Sequence, residues 1–476
     1  MQSHPTEQLH LHLQTQRAAF RREPYPTAAV RRDRLARLRA LVDEHGEALA
    51  KAISLDFGHR SLHETRLTEL FVLSSTIKHT EHNLKRWMGP TRVATALHFL
   101  PGSSLLLPQP LGVVGVISPW NYPVQLALSP VIAALAAGNR VMLKPSELTP
   151  RTSQLLARAV AQFFAPDEFT CITGDANVAK SFAGLPFDHL FFTGSTAIGR
   201  HVAQAAAANL TPVTLELGGK SPAILHKGVD LKLAAQRIAQ GKLLNAGQTC
   251  VAPDYVFVPE EQVQPFVKLL GAAMKKLYPT IAANPDYSSI ITPRHYARLQ
   301  GLLAEAKAQG AKIVRPHQEG KQAEAADPSG RKLAPAIVLN LKPSMGLMRE
   351  EIFGPVLPVL PYNSLDEVIA YVQNGERPLA LYTFGADRAE RQRLLRETHA
   401  GGVTVNDCIW HLAQEDLPFG GVGSSGQGAY HGEWGFKTFS KVKPVFTNPA
   451  LSATGLFAPP YGKLFDVLLT VLKRVA

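Results

Sequence analysis

Apolar residues recur at three- and four-residue intervals through Leu35, Leu38, Leu41, Val42, Leu49 and Ile53, and Thr65 to Trp87 continues in kind. This is the spacing of one buried helix face, so residues 27–90 are expected to form two or three long helices. The texture then changes. HFLPGSSLLLPQPLG (98–112) places a Pro-Gly turn and further prolines between short apolar runs, which predicts a hairpin or extended arm. From 113 onwards, VVGVIS (113–118) and RVMLKP (140–145) are unbroken apolar runs of the type buried in parallel sheets. The stretch 124–137 between them reads as a helix ended by Gly138. HLFFT (189–193), PVTLEL (212–217) and PAILH (222–226) add further strands. Alternation of this kind predicts an α/β fold built on a doubly wound parallel sheet. A second α/β segment starts near 218, with an amphipathic helix over 231–244 and a strand at YVFV (255–258). The span 317–332 is polar and loop-like.

The tail has a pattern of its own. From 463, Lys463, Asp466, Thr470, Lys473 and Arg474 share one helix face, while Leu464, Phe465, Leu468, Leu469 and Leu472 form the other. A helix of this length reaches only about 20 Å, too short to cross a bilayer. It is expected to dock on its own body or on a partner subunit, or to make a peripheral membrane contact.

Composition narrows the class. The chain has 476 residues, 45% of them apolar, which provides ample surface for burial and excludes a disordered chain. Three cysteines cannot form a disulfide framework. The polar first residues lack a secretory h-region, and a cytoplasmic location is expected. The net charge of +12 is scattered, which argues against nucleic acid. Its densest cluster, Arg31, Arg32, Arg34, Arg37 and Arg39, alternates with leucines and reads as the wet face of a helix.

Four segments could carry chemistry. In FFTGSTAIGR (191–200) a buried strand runs into Gly194-Ser195-Thr196, and a helix opens with Gly199 on its first turn. Free N–H groups and a positive helix end there could hold a phosphate, or form an ordinary tight turn. In NAGQTCVAPD (245–254), Cys250 lies in a Gly-containing turn. An exposed thiol of lowered pKa would suit a nucleophile, and a small buried filler is the alternative. PVTLELGGKSP (212–222) puts Glu216 inside an apolar strand, either as a general base of raised pKa or as a salt-bridge partner of Lys220. In SPWNYP (118–123), Asn121 sits between two prolines, where its amide could donate to an oxyanion or close an Asx-turn. Lys144 and Glu147 of LKPSE follow another strand, where nucleotide riboses lie in doubly wound sheets. EEIFGPV contributes Glu351 and Phe353, and LPFGGVGSSGQG (417–428) has five glycines in twelve residues. No Cys/His spacing suggests a metal site.

The ordered set PWNYP, KPSE, FTGSTAIG, LELGGKSP, GQTC, EIFGPV and PFGGVGSSG resembles the aldehyde dehydrogenase superfamily over nearly the whole chain. GAYHGEWGFKTFSKVKP (428–444) and DFG-x-R-S (56–61) resemble its class 3 branch. WMGP (87–90) and PPYGKLFD (459–466) are most similar to its coniferyl aldehyde dehydrogenase group. The resemblance implies two doubly wound, Rossmann-like domains and a small β oligomerisation arm. The cofactor domain would span 1–217, with 98–112 as the bridging hairpin. The catalytic domain would span 218–410, and 411–476 would hold the Gly-rich return, an oligomerisation strand and the tail helix. A homodimer is implied.

The resemblance also implies the reaction. NAD, with NADP possible, would oxidise a hydrophobic aldehyde to its acid through a thiohemiacetal and a thioester on Cys250. Coniferaldehyde or a similar aromatic aldehyde is the expected substrate; a long-chain aliphatic aldehyde, CoA as acyl acceptor, or an inactive structural role are alternatives. Asn121 would hold the oxyanion and Glu216 would activate water. Trp120, Lys144, Ser146, Glu147, Gly194, Ser195, Gly199, Leu217, Gly218, Glu351 and Phe353 would surround the cofactor. Tyr430 and His431 would serve packing, and His411 would line the substrate tunnel.

Overall fold

The computed structural model describes residues 5–317, 327, 329–385 and 387–475; of the loop-like 317–332, residues 318–326 and 328 lie outside them. The apolar runs become strands because they are buried on both faces. Strands β3 (Val113–Ile117) and β4 (Arg140–Lys144) are buried at every position. They pair in parallel, Val113 opposite Arg140. Strand β3 also pairs in parallel with β6 (His189–Thr193), which pairs with β7 (Val213–Glu216). With β5 (Phe169–Cys171) and the two-residue β15 (Gly426–Gln427), the order is β15-β7-β6-β3-β4-β5. The chain winds outward from β3 on one side and from β6 on the other. The crevice beyond the carboxyl ends of these two strands is where such sheets bind ligands.

A second sheet, of seven strands, has the order β10-β11-β12-β9-β8-β13-β14, with β10 at Lys312–Val314, β11 at Ala336–Leu339 and β14 at Gly402–Val405, and takes all its strands from residues 222–405. Its members used below are β8 (Pro222–Leu225), β9 (Tyr255–Pro259), β12 (Val356–Tyr362) and β13 (Ala380–Phe384). The Gly-rich return comes back to the first sheet: Gly426 pairs with Glu216 antiparallel, and the Leu217 N–H donates to the Ser425 carbonyl at 3.0 Å. Gly426 lies at φ 156° against the Leu215 carbonyl, where a side chain would collide.

The third sheet is the arm. Strand β2 (Ser103–Pro110) pairs antiparallel with β16 (Ser440–Thr447) along its full length, and with β1 (Thr91–Val93) on its other side. The hairpin thus begins near 91, before the expected 98, because Thr91–Val93 extends the pairing.

The N-terminal region is helical: α1 (Pro5–Arg22), α2 (Ala28–Phe57), then α3 (Leu62–Thr65), a π-helical turn at Arg66–Phe71 and α4 (Val72–Met88). Helices α2 and α4 pack on α5 (Gln125–Ala137), which is buried at every residue, whereas α1 packs on β3 and β4. The arginine cluster of α2 is a wet face only at Arg32 and Arg39. Arg31 and Arg34 are each 1% exposed. Arg31 donates to the last carbonyls of α5, Ala136 at 3.1 Å and Ala137 at 2.7 Å. Arg34 and Arg37 both pair with Glu168. Fixed partners here replace the solvent expected from the pattern.

The tail helix Lys463–Val475 forms as expected, but Leu464 (65% exposed) and Val467 (61%) face outward. No helix among the described residues is long and apolar enough to cross a membrane.

Candidate active site

Two loops at the crevice meet three from the second sheet. Pro119–Asn121 follows β3, and Thr193–Ser195 closes β6. Cys250 precedes β9, Glu351 and Phe353 precede β12, and Leu379 precedes β13. Together with Glu216–Gly218 they line a cavity of about 460 Å³. A second cavity, of about 1130 Å³, adjoins it along Trp120 and Thr193–Ser195, and reaches Lys144, Ser146 and Glu147. A third, of about 210 Å³, opens on the other side of Cys250. The thiol is thus common wall to a large two-part cleft and a separate small chamber.

The loop carrying Cys250 is strained. Asn245 and Ala246 both lie at positive φ, near +50°. Asn245 Nδ2 donates to the Asn121 carbonyl at 3.0 Å, and Asn121 Nδ2 donates to the Gln248 carbonyl at 3.2 Å. The two loops therefore hold each other, with the Asn121 amide on the cavity wall beside Cys250. This is neither of the isolated turns the sequence suggested.

The electrostatics correct one expectation. The Cys250 thiol is not lowered: burial pushes it up to about 12, and Glu351 and Glu216 add to the rise. Among the described residues no cation offsets this, and only the Cys250 and Val251 N–H groups favour the thiolate. Cys171 and Cys408 are likewise free thiols raised by burial, and Cys408 also borders the small chamber. Glu216 is 2% exposed, and burial alone holds its carboxyl well above the usual range. Neither of its oxygens has a hydrogen-bond partner. The salt bridge to Lys220 does not form, because that ammonium is taken by Asp254 and by the Leu347 and Glu350 carbonyls. An unpaired buried carboxyl beside a thiol is costly to stability and suited to proton transfer.

The larger part of the cleft fits a dinucleotide. Ser195 caps α8 (Thr196–Ala207), accepting from the Ile198 N–H at 3.4 Å, so the helix start faces the cleft. Lys144 is buried and its ammonium donates to Glu147 at 2.9 Å; Glu147 is 43% exposed. Ser118 Oγ and Thr193 Oγ1 are buried without partners, and both line the cleft. Such orphaned hydroxyls fit a polar ligand. Glu351, pushed by burial up to about 8, lies against Gly218, where any side chain would overlap its carboxyl. Trp120 meets Phe353 edge-on at 5.4 Å and His295 at 5.3 Å. Gly199 does not line the cleft; it sits over Leu217, whose Cδ2 would be 2.5 Å from an added Cβ. Thr193, Ser118, His295 and Arg298 were not singled out in the sequence. The two hydroxyls carried a signal, polar residues at the carboxyl ends of buried strands.

The small chamber is walled mainly by apolar side chains. Leu67 and Phe71 come from the π-helical turn, Ile409, Trp410 and Leu412 from the loop after β14 (Gly402–Val405), and Phe419 and Tyr430 from the Gly-rich return. His411 does not line it. Its Nδ1 pairs with Thr404 Oγ1 at 2.8 Å and its ring lies over Gly402, because the short turn at Trp410–Ala413 rotates it inward. Tyr430 is buried against Phe191 and Phe419 and reaches the walls of both the chamber and the cleft; His431 stacks on Phe419 at 5.3 Å. Along α9 (Leu231–Leu243), Arg237, Gln240 and Gly241 follow one stripe of the chamber to Leu244, whose carbonyl lies 3.5 Å from Thr249 Oγ1. Seven helical residues cover about 10 Å, so the Arg237 end is roughly that far from the nucleophile loop.

Fold and site define a class: an α/β protein that brings a dinucleotide cleft and an apolar chamber to opposite sides of one thiol. A family model described as "Aldehyde dehydrogenase family" matches residues 1–445, and the chain belongs to that family. It is 50% identical over 454 residues to a "Probable coniferyl aldehyde dehydrogenase" of Pseudomonas aeruginosa, covering 95% of this chain and 94% of the relative. It is 46% identical to a "Coniferyl aldehyde dehydrogenase" of Pseudomonas sp., covering 93% and 92%. Among solved structures, the substrate-bound state of Staphylococcus aureus AldH superposes with a TM-score of 0.91 at 36% identity, covering 98% and 99%. The protein is a nicotinamide-dependent oxidoreductase that converts an aldehyde to its acid.

Proposed function

We propose that the protein oxidises an aryl propenal of the coniferaldehyde type, with NAD preferred, and that Cys250, Asn121 and Glu216 carry the chemistry. One observation carries the reading: Cys250 is the wall shared by the cleft and the chamber. An aldehyde in the chamber presents its carbonyl carbon to the thiol. The sulfur bonds to that carbon as the thiol proton passes to solvent water, and the oxygen becomes an alkoxide facing the Asn121 amide. Collapse restores the carbonyl and expels hydride from the same carbon, leaving an acyl thioester on Cys250. Held among Trp120, Leu217, Gly218, Glu351 and Phe353, an oxidised nicotinamide would supply the hydride acceptor and a positive charge beside a thiol otherwise opposed by two carboxyls. Glu216, ionised, takes a proton from water as the water attacks the thioester; the acid leaves and the thiol is restored.

The chamber supports the substrate class. An aryl propenal measures about 8 Å from carbonyl carbon to para oxygen at ordinary bond lengths. That is close to the span from the nucleophile loop to Arg237, which pairs with Asp407 at 3.4 Å and gives an otherwise apolar chamber a polar end. The names of the relatives at 50% and 46% identity point the same way. For the cofactor, Glu147 would accept the adenosine ribose hydroxyls and repel a 2′-phosphate, with Lys144 holding it in place. Lys144, Ser146, Gly194 and Ser195 would frame the adenosine side, and Trp120, Leu217, Gly218, Glu351 and Phe353 the nicotinamide side.

The test is kcat/KM for coniferaldehyde against decanal, each with NAD and NADP. We expect coniferaldehyde with NAD to be preferred over both alternatives by about tenfold or more, since a few contacts of about 1–3 kcal/mol decide such ratios. A preference for decanal would make the chain a fatty aldehyde dehydrogenase.

We further propose a homodimer joined through the arm sheet and the adjoining tail, acting in the cytoplasm, with residues 1–217, 218–410 and 411–476 as working divisions. The exposed Leu464 and Val467 favour a second partner for the tail, a membrane surface. Co-sedimentation of the full chain with anionic vesicles, lost on removing residues 459–476, would select it.

A further inference from the structure

Between the Asn121 loop and the Cys250 loop lies a charge cluster that the chemistry above does not use. Arg60 is fully buried. Its Nη1 donates to the Asn121 carbonyl at 3.0 Å and to Glu69 Oε1 at 2.9 Å, and its Nε donates to Glu64 Oε1 at 3.3 Å. Its guanidinium lies 4.7 Å from the centre of the Tyr122 ring, and the Tyr122 hydroxyl pairs with Thr249 Oγ1 at 2.7 Å.

The two carboxyls extend the cluster in opposite directions. Glu64 Oε2 accepts from the Asn245 N–H at 3.1 Å, at the strained entry to the nucleophile loop. Glu69 Oε2 accepts from the Val124 and Gln125 N–H groups at 2.8 and 3.1 Å, which caps the start of α5. Glu69 stands in the π-helical turn, an irregularity that often marks functional positions. Among the described residues, Arg60 is the one side chain that binds both carboxyls and also touches the Asn121 backbone. The Asn121 carbonyl it grips is the same one that accepts from Asn245.

We propose that Arg60 is a positioning residue for the oxyanion donor: held by Glu64 and Glu69, it fixes the Asn121 backbone so that the Asn121 amide faces the carbon bound to Cys250. A planar fork with several donors suits this task, and an ammonium cannot replace it. The inference rests on the reading of Asn121 given above.

A double-mutant cycle tests it, read as the single-turnover rate of hydride transfer with excess NAD and coniferaldehyde. Asn121→Ala is expected to slow that step by about 10²–10³-fold. Arg60→Lys is expected to slow it by about 10–100-fold, the cost of a donor misplaced by a fraction of an ångström. In the Asn121→Ala background, Arg60→Lys should cost less than about twofold, because its effect runs through the missing amide. Alkylation of Cys250 by iodoacetamide needs no oxyanion donor, and its rate should stay within about twofold in every variant.

Should Arg60→Lys fail to fold, Glu64→Gln keeps the Arg60–Glu69 pair and an amide oxygen for the Asn245 N–H. It should slow hydride transfer by about tenfold with the same lack of additivity. Additive losses would overturn the proposal while leaving Asn121 in its role. Alkylation falling in parallel with hydride transfer would show a general loss of site structure and overturn it too. An Asn121→Ala variant at the parent rate would overturn both this proposal and the role of Asn121.

Discussion

Glu216 pairs its backbone with Gly426 and Thr193 while both its carboxyl oxygens go without partners, which makes it the most exacting single residue of the site. Burial holds its proton on well above the usual carboxylate range, so the ionised base becomes more abundant as pH rises. Steady turnover limited by thioester hydrolysis should therefore climb into the alkaline range. Glu216→Gln should keep a pre-steady-state burst of NADH, slow the steady rate by about 10²–10⁴-fold and flatten that alkaline limb. A burst lost together with the steady rate would place Glu216 in the first half-reaction. Cys250 behaves in the same sense. With its thiol pushed up to about 12, alkylation of the cofactor-free enzyme should still be rising at pH 9, and Cys250→Ala should abolish turnover while cofactor still binds. A plateau below pH 8 would mean that some group lowers the thiol. The position of both residues was legible, one as a carboxylate inside an apolar strand and the other as a thiol in a polar turn. The direction of the thiol's shift was not, because Glu351 and Glu216 reach it from separate segments of the chain.

At the scale of elements, α5 shows how ends matter more than faces. Every residue from Gln125 to Ala137 is buried, so neither terminus of the helix can rely on water. Glu69 serves the first N–H groups and Arg31 the last carbonyls. Burial lowers Arg31 to about 10, which leaves it charged at neutral pH and matched to the negative helix end. Arg31→Ala should lower the unfolding free energy by about 3 kcal/mol, since two buried carbonyls lose a charged donor at about 1–3 kcal/mol each. Arg31→Lys should recover only part of this. Thermal unfolding checks it: a midpoint within about a degree of the parent would show that the carbonyls find other donors. Strands and the α5 helix were readable within a residue or two at their ends, because continuous burial leaves a continuous apolar run. The arginines of α2 were misread for the complementary reason. Their partners, Ala136, Ala137 and Glu168, lie more than a hundred residues away, and an arginine periodic with leucines looks the same whether it meets water or a helix end. The π-helical turn was also invisible, since Leu67, Leu70 and Phe71 keep the spacing of an ordinary helix.

For the whole molecule, the order of the motifs carried the two-sheet plan. The first sheet takes its parallel strands from 113–216 and the second takes its strands from 222–405, so only the first needs a return, the antiparallel Gly426–Gln427, to complete it. What one chain leaves unfinished is the arm. Strand β16 is the outer strand of the β1-β2-β16 sheet, and one edge of it is free of partners within the chain. Val442 (37%) and Phe446 (47%) are exposed along it, and Leu451 (89%) just beyond its end. His98 and Phe457 bring the tail beside the same arm, their rings 6.4 Å apart, adding Leu456, Tyr461 and Leu464 to the exposed apolar area. A free edge and a contiguous apolar patch are features that a soluble monomer avoids and an oligomer covers. A two-fold axis beside β16 would let each copy cover the other with the same residues. Light scattering at micromolar concentration should therefore give twice the chain mass. Val442→Asp with Phe446→Asp should give a monomer that still binds cofactor, because neither side chain lines the cleft. A parent protein of single chain mass would overturn the dimer. A dimer that survives both substitutions would move its interface away from the arm, and the exposed edge would then need another occupant.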